Sequence, residues 1–146
     1  MGPFTPKHEK KCWGEVVHMF CDQGAAVSHL KVKRGTRCSR HYHEDRANAF
    51  YVISGKVVIE EWDTTITNYD PSLKTLKILN AGDHYTVPST VIHRFRVLED
   101  GEMVEVYWPD RGGTCRADDI CRLDVGGIDS IEALHRDIAK CLPTTR

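Results

Sequence analysis

Short runs of alternating apolar and polar residues, broken roughly every eight to twelve positions by turn-forming residues, fill most of the chain. Trp13–Phe20 (WGEVVHMF) reads as a strand, with Asp22-Gln23-Gly24-Ala25 as the turn after it. Val27–Lys33 alternates cleanly, with Val27, His29, Lys31 and Lys33 on one face and Ser28, Leu30 and Val32 on the other. The same pattern predicts strands over Arg37–His43, Ala49–Ile53, Lys56–Trp62, Leu73–Leu79, His84–Val87, Ile92–Leu98 and Met103–Trp108. Ser54-Gly55 reads as the two-residue turn of a hairpin. Asp63–Ser72 reads as a polar loop. Asn80–Asp83, Pro88-Ser89 and Glu99-Asp100-Gly101 read as further turns.

The pattern changes near the end. Asp129 with Glu132 three residues on forms a capping-box arrangement. Ile131, Leu134, Ile138 and Leu142 then recur at helical spacing as far as Pro143. This predicts one helix of about three turns, packed on the outside of the strands or across a dimer interface. The expected architecture is all-β, an antiparallel barrel or jelly roll with a C-terminal α-helix. Residues 1–11, basic and holding two prolines, read as a flexible arm, 12–127 as the barrel, and 128–146 as helix and tail.

Composition narrows the partners. The chain has 146 residues, 40% apolar and 28% charged, with a formal net charge of −1. It is long enough for one buried core, and its charge gives no reason to expect nucleic acid or an anionic membrane as a partner. No apolar run approaches the length of a membrane span, and the N-terminus lacks the apolar stretch of a signal peptide, so a cytoplasmic location is expected. The six cysteines are irregularly spaced and form no Cys-x-x-Cys pair; they read as mostly buried small apolar residues rather than disulfides or a zinc knuckle. Cys38, at odd spacing from His41, is expected on the opposite strand face from it.

The candidate chemistry is in the histidines. His41 and His43 stand two apart, so on an extended strand both imidazoles point to one face. His93 follows fifty residues after His43, on another predicted strand. Three neutral imidazoles from two strands make a site for a divalent metal ion (Zn, Mn, Fe or Ni) with positions left open for water or substrate. His8, His18, His29, His84 and His135 have no such support, and His29 is the one of them expected to line the barrel. Asp118, Asp119, Arg122 and Asp124 form a charged cluster that reads as a network tying the C-terminal segment to the barrel or to a second subunit.

The stretch Gly35–Gly55 (GTRCSRHYHEDRANAFYVISG) resembles the first signature of the cupin superfamily, with Gly35, His41, His43 and Gly55 at its intervals and Asn48 where it has a glutamate. Gly82, Pro88 and His93 resemble the second, although Thr90 replaces a glycine and the final asparagine is missing. A narrower likeness runs from about residue 12 to residue 127. Trp13-Gly14, LKVKRG (Leu30–Gly35), RAN (Arg46–Asn48), VISG (Val52–Gly55), His93-Arg94, Glu105-Val106 and DDICRLDVGG (Asp118–Gly127) are similar to the cupin domain of type II mannose-6-phosphate isomerases. In that family the domain follows a mannose-1-phosphate guanylyltransferase. The resemblance here implies a free-standing relative.

This likeness implies a cupin-type double-stranded β-helix, a divalent metal held by His41, His43, His93 and Asn48, and a sugar or sugar phosphate as small-molecule substrate. It places a glutamate at Glu105, the expected base of an aldose–ketose isomerisation. Arg94, next to His93, is the expected phosphate-binding residue, with Lys31 and Lys33 as alternatives. The carbonyl oxygen of Asn48 is a weaker ligand than a carboxylate and leaves the site with the ion's full positive charge, which favours an anionic or chelating substrate. Two other readings stay open, a three-histidine non-haem iron dioxygenase and a non-catalytic sugar-binding protein. A homodimer is the expected assembly.

Overall fold

The computed structural model describes residues 5–62 and 69–141. The strands are β1 Lys7–Lys11, β2 Gly14–Cys21, β3 Ala26–Val32, β4 Thr36–Arg37, β5 His41–Tyr42, β6 Arg46–Trp62, β7 Thr75–Asn80, β8 His84–Val87, β9 Ile92–Pro109, β10 Cys121–Arg122 and β11 Gly127–Ile128, followed by helix α1, Ile131–Cys141. All pairings are antiparallel, and the strands form one curled sheet. Residues 1–11 were expected as an arm, but from Lys7 they form β1, in register with β2 (Lys7 opposite His18, Lys11 opposite Gly14).

Two long strands close the barrel. The first half of β6 pairs with β8 and with the second half of β9, and its second half pairs with β7 and the first half of β9. Ser54-Gly55 is therefore a bend within one strand and not the expected hairpin turn. Lys56–Trp62 finds its partners in β7 and β9, leaving Ala49–Ile53 to others. Gly55 makes the bend possible: its φ is 83°, and a Cβ there would stand 2.5 Å from the Asp100 carbonyl oxygen. Glu99-Asp100-Gly101 likewise bends β9 without ending it.

Inside the barrel lies an apolar core that includes Trp13, Leu30, Val32, Cys38, Phe50, Val52, Val57, Ile59, Phe95, Val97 and Met103. Cys38 belongs to it, contrary to the expected outward placement. No regular strand runs between Arg37 and His41, so alternation does not carry through, and Cys38 Sγ accepts the Phe95 N–H at 3.2 Å. His29, expected inside, faces out beside Glu102 (3.8 Å), while Ser28, Leu30 and Val32 point inward and are buried.

Helix α1 lies on the outer face, where Leu134 and Ile138 pack on Val58, Leu98 and Leu76. Leu142, the last member of the predicted stripe, lies outside the described residues. The cap is Ser130, whose Oγ accepts the Ala133 N–H at 3.2 Å. Asp129, the expected cap, instead binds Arg37 (2.6 Å) and Arg96 (3.0 Å). Beneath the helix Glu60, fully buried, accepts from Lys74 (2.9 Å), Arg94 (2.5 Å) and Arg96 (2.8 Å). Among the described residues no helix is long and apolar enough to cross a membrane.

Candidate metal centre

Three short backbone devices bring the histidines together. His41 lies in β5, directly opposite His93 of β9 on one side and Arg122 of β10 on the other. His43 follows two residues later, where its carbonyl accepts the Thr90 N–H (2.6 Å) and so ties the two histidine-bearing segments together. Thr90 takes up a positive φ of 70° in this turn, at the place where the resembling signature has a glycine. The ring centroids lie 4.5 Å (His41–His93), 5.1 Å (His41–His43) and 5.5 Å (His43–His93) apart, and one nitrogen from each comes within 4.8 Å of the others.

The second nitrogen of each ring is spoken for. Nδ1 of His41 lies 2.8 Å from the Ser39 carbonyl, Nδ1 of His43 2.5 Å from the Asp119 carbonyl, and Nδ1 of His93 2.9 Å from the Val91 carbonyl. A carbonyl only accepts, so each Nδ1 carries the proton and each Nε2 presents its lone pair. Nε2 of His43 and of His93 is buried with no hydrogen-bond partner among the described residues. Buried polar atoms without partners are unusual, and here a cation would satisfy both. Burial, then the neighbouring imidazoles, lowers the pKa of His41 far below the ordinary value; burial foremost takes His43 to about 3 and His93 to about 4. Neutral rings with oriented lone pairs are what a divalent metal ion requires. The donor set fits such an ion.

Asn48 and Glu105 are buried in the same barrel interior, on β6 and β9. Asn48 is wholly buried; its Nδ2 donates to Glu105 Oε2 at 2.8 Å, and its Oδ1 is a third buried atom with no partner among the described residues. Glu105 is buried too, and burial raises its pKa against the opposing effects of the Tyr107 and Asn48 hydrogen bonds and the nearby Arg46 charge. Arg94 is elsewhere. One residue on from His93, it points to the outer face, where it binds Glu60 and stacks over Trp62 (5.6 Å). Its neighbour on the strand decides its direction, since adjacent side chains face opposite ways. Lys31, also outward, is exposed.

Three further residues support the site, two of them from the charged cluster that the sequence singled out. Asp119 supports His43 through a backbone carbonyl, and its carboxylate accepts the N–H groups of Glu44 (2.7 Å) and Asp45 (3.0 Å). Asp124 accepts from Arg40 N and Nε (2.6 and 2.7 Å). The cluster thus ties the C-terminal segment to the barrel at the histidine-bearing stretch, one of its two expected uses. Tyr107 lies edge-on to His43 with centroids 5.5 Å apart. Its inward parity with Glu105 was readable in the sequence; its partner across the sheet, Asn48, was not.

Comparison with known proteins agrees with this geometry. The cupin domain family matches residues 28–109, more than half of the chain. Among solved structures, oxalate decarboxylase from Bacillus subtilis at pH 4.6 is similar at 17% identity and a TM-score of 0.66, covering 81% of this chain and 30% of that one. A structure concerned with the substrate binding mode of oxalate decarboxylase matches at 17% identity and 0.65, over the same shares. One concerned with the Mn(II) centres of the Bacillus subtilis enzyme matches at 15% and 0.63, also over 81% and 30%. The chain thus spans about a third of the length of those enzymes, and the likeness is one of fold. No curated protein sequence matches. With its two histidine-bearing segments, its twice-folded sheet and the matched residues 28–109, the chain belongs to the cupin domain family.

Proposed function

We propose that the protein is a metal-dependent enzyme that isomerises a small sugar or sugar phosphate, with Glu105 as the group that moves the proton between adjacent carbons. The observation that carries this reading is the buried Glu105 carboxyl, held by the Asn48 amide at 2.8 Å in the same interior as the three imidazoles. His41, His43 and His93, with Asn48 Oδ1 as a further donor, would hold a divalent ion there, and such an ion would supply Lewis-acid polarisation of the substrate oxygens. Glu105 then takes the proton from one carbon and returns it to the next. Its raised pKa suits a group that must hold a proton and give it back. Asn48 fixes the carboxyl through its amide hydrogen, and Tyr107 shares a hydrogen bond with it. Arg94 is engaged with Glu60, so the phosphate role passes to another cation.

The test is turnover in D2O, followed by NMR, of mannose 6-phosphate and related aldose and ketose phosphates by zinc- or manganese-loaded protein. Deuterium should enter at the reacting carbon, and Glu105→Gln should slow this by about 100-fold or more. Absence of exchange with every member of the panel overturns the reaction while leaving the metal centre intact.

A second reading is favoured by Asn48, which gives the centre a wholly neutral ligand set, as a three-histidine iron dioxygenase has. Iron-loaded protein that consumes oxygen in the presence of a small chelating substrate would support it. The proposed assembly is a homodimer in the cytoplasm, supported by the outward face of β2, β3, β9 and β6. Val17, Val27, Val104 and Val106 share that face with the exposed Tyr51 and Phe20. All six cysteines are free, in keeping with a reducing compartment.

A further inference from the structure

Arg46 opens β6 on the inner face of the barrel, two residues before Asn48, opposite Pro109 at the end of β9. Only 6% of it is exposed. Its guanidinium stacks 3.9 Å over the Tyr107 ring, and its Nε stands 3.5 Å from Nδ1 of His43, a nitrogen whose proton already goes to Asp119. The Cys115 thiol is a further polar neighbour, and the Glu105 and Asp119 carboxylates lie near enough to feel its charge. Among the described residues it makes no ion pair. The other buried arginine, Arg96, is matched by Glu60, Asp129 and Asp137 (2.8, 3.0 and 2.8 Å).

A guanidinium stays charged at any pH the protein meets, and burying a charge without a counter-ion is strongly unfavourable. The Tyr107 π face offsets part of that. The nearby carboxylates are otherwise occupied: Asp119 accepts the Glu44 and Asp45 N–H groups, and Glu105 accepts from Asn48. A divalent ion held by the three neutral imidazoles would add to the positive charge of this interior. We infer that Arg46 is the oxyanion-binding residue of this site, clasping the carboxylate or phosphate of a small molecule whose other oxygens reach the histidine centre. The inference rests on the metal-centred site proposed above and not on the isomerisation itself. The planar fork of Arg46 suits two parallel hydrogen bonds to either group, and its place where β6 begins and β9 ends sets it beyond Asn48 along the strand.

The test is calorimetric binding of inorganic phosphate, oxalate and the neutral triol glycerol to metal-loaded wild type, Arg46→Gln and Arg46→Lys, with metal content measured for each. The expected result is about tenfold or greater weakening of one anion in Arg46→Gln, only partly restored by the retained charge of Arg46→Lys, with glycerol binding and metal content unchanged. The anion affected tells a phosphate substrate from a carboxylate one. In ligand-free protein, Arg46→Met should raise Tm by a few degrees, because an uncompensated buried charge is gone. Equal anion affinity in wild type and Arg46→Gln, wild type binding neither anion, or lost metal and a lowered Tm in the variants would each overturn the inference. Arg46-dependent anion binding without turnover sinks only the isomerase reading; turnover with Arg46-independent binding sinks only this one.

Discussion

The backbone carbonyl of Asp119 accepts the Nδ1 proton of His43 at 2.5 Å, across 76 residues of sequence. One metal-facing imidazole is thereby oriented by a segment beyond the barrel strands, and that segment is itself held by the Glu44 and Asp45 N–H groups on the Asp119 carboxylate. Asp119→Ala should free the strap. Metal affinity is expected to fall about 10–100-fold, with a loss of stability of about 1–3 kcal/mol. Competition with a chromophoric chelator measures the first and urea unfolding the second.

Acid should weaken the metal-free protein in a defined window. Burial takes His43 to about 3 and His93 to about 4, against 6.5 for an ordinary histidine. Between these values the unfolded chain binds protons that the folded chain refuses, so stability is intact above the ordinary value and declines as pH falls below it. The slope is about 1.4 kcal/mol per pH unit for each such group. Replacing His43 by Gln should remove one group's share from the slope of unfolding free energy against pH. An unchanged slope would mean that His43 is not held neutral.

Glu60 is fully buried between three cations on the outer face. Glu60→Ala leaves Arg94, Arg96 and Lys74 facing one another and should cost about 3–5 kcal/mol, detected by chemical denaturation. Metal content at low temperature should stay at the wild-type level, since none of these groups touches the imidazoles.

Asn48→Glu adds a negative ligand beside three neutral ones. Divalent metal affinity should rise by on the order of tenfold, read by chelator competition. Two carboxyls then stand side by side at positions 48 and 105 and must share a proton. Unchanged affinity would show that residue 48 does not reach the metal.

Val104 lies between His29 and Tyr51 on the outward sheet face. If that face joins two copies, Val104→Glu buries two like charges across the two-fold axis. Sedimentation should then show a monomer with full metal content, against a dimer for the wild type.

Much of this was legible before any coordinates. The period-two runs around Val27–Val32 and His84–Val87 placed strands correctly because local alternation is a local property. The Ile131–Ile138 spacing gave helix α1 for the same reason. The errors have non-local causes. Lys56–Trp62 looked like the return arm of a hairpin, because nothing in a seven-residue run records that its partners are β7 and the far end of β9. In Met103–Trp108 the ordinary rule inverts at one point, with Glu105 turned inward and Val104 and Val106 outward, since the interior there is a polar site and the exterior an uncovered face. Cys38 was misplaced because alternation was extended through a stretch that is not a strand.

Residue identity and spacing alone settled that this chain is a strand-rich barrel, that it ends in a helix, and that His41, His43 and His93 are the group to watch. Those features depend on near neighbours in the chain or on intervals that survive folding. What the tertiary structure decided is which atoms meet: Nδ1 of each imidazole at a carbonyl, Glu105 against Asn48, Arg94 turned away to Glu60, and Arg46 buried beside His43 without a direct ion pair among the described residues. Those pairings join residues many tens of positions apart, and only closure of the sheet brings them within reach of a hydrogen bond.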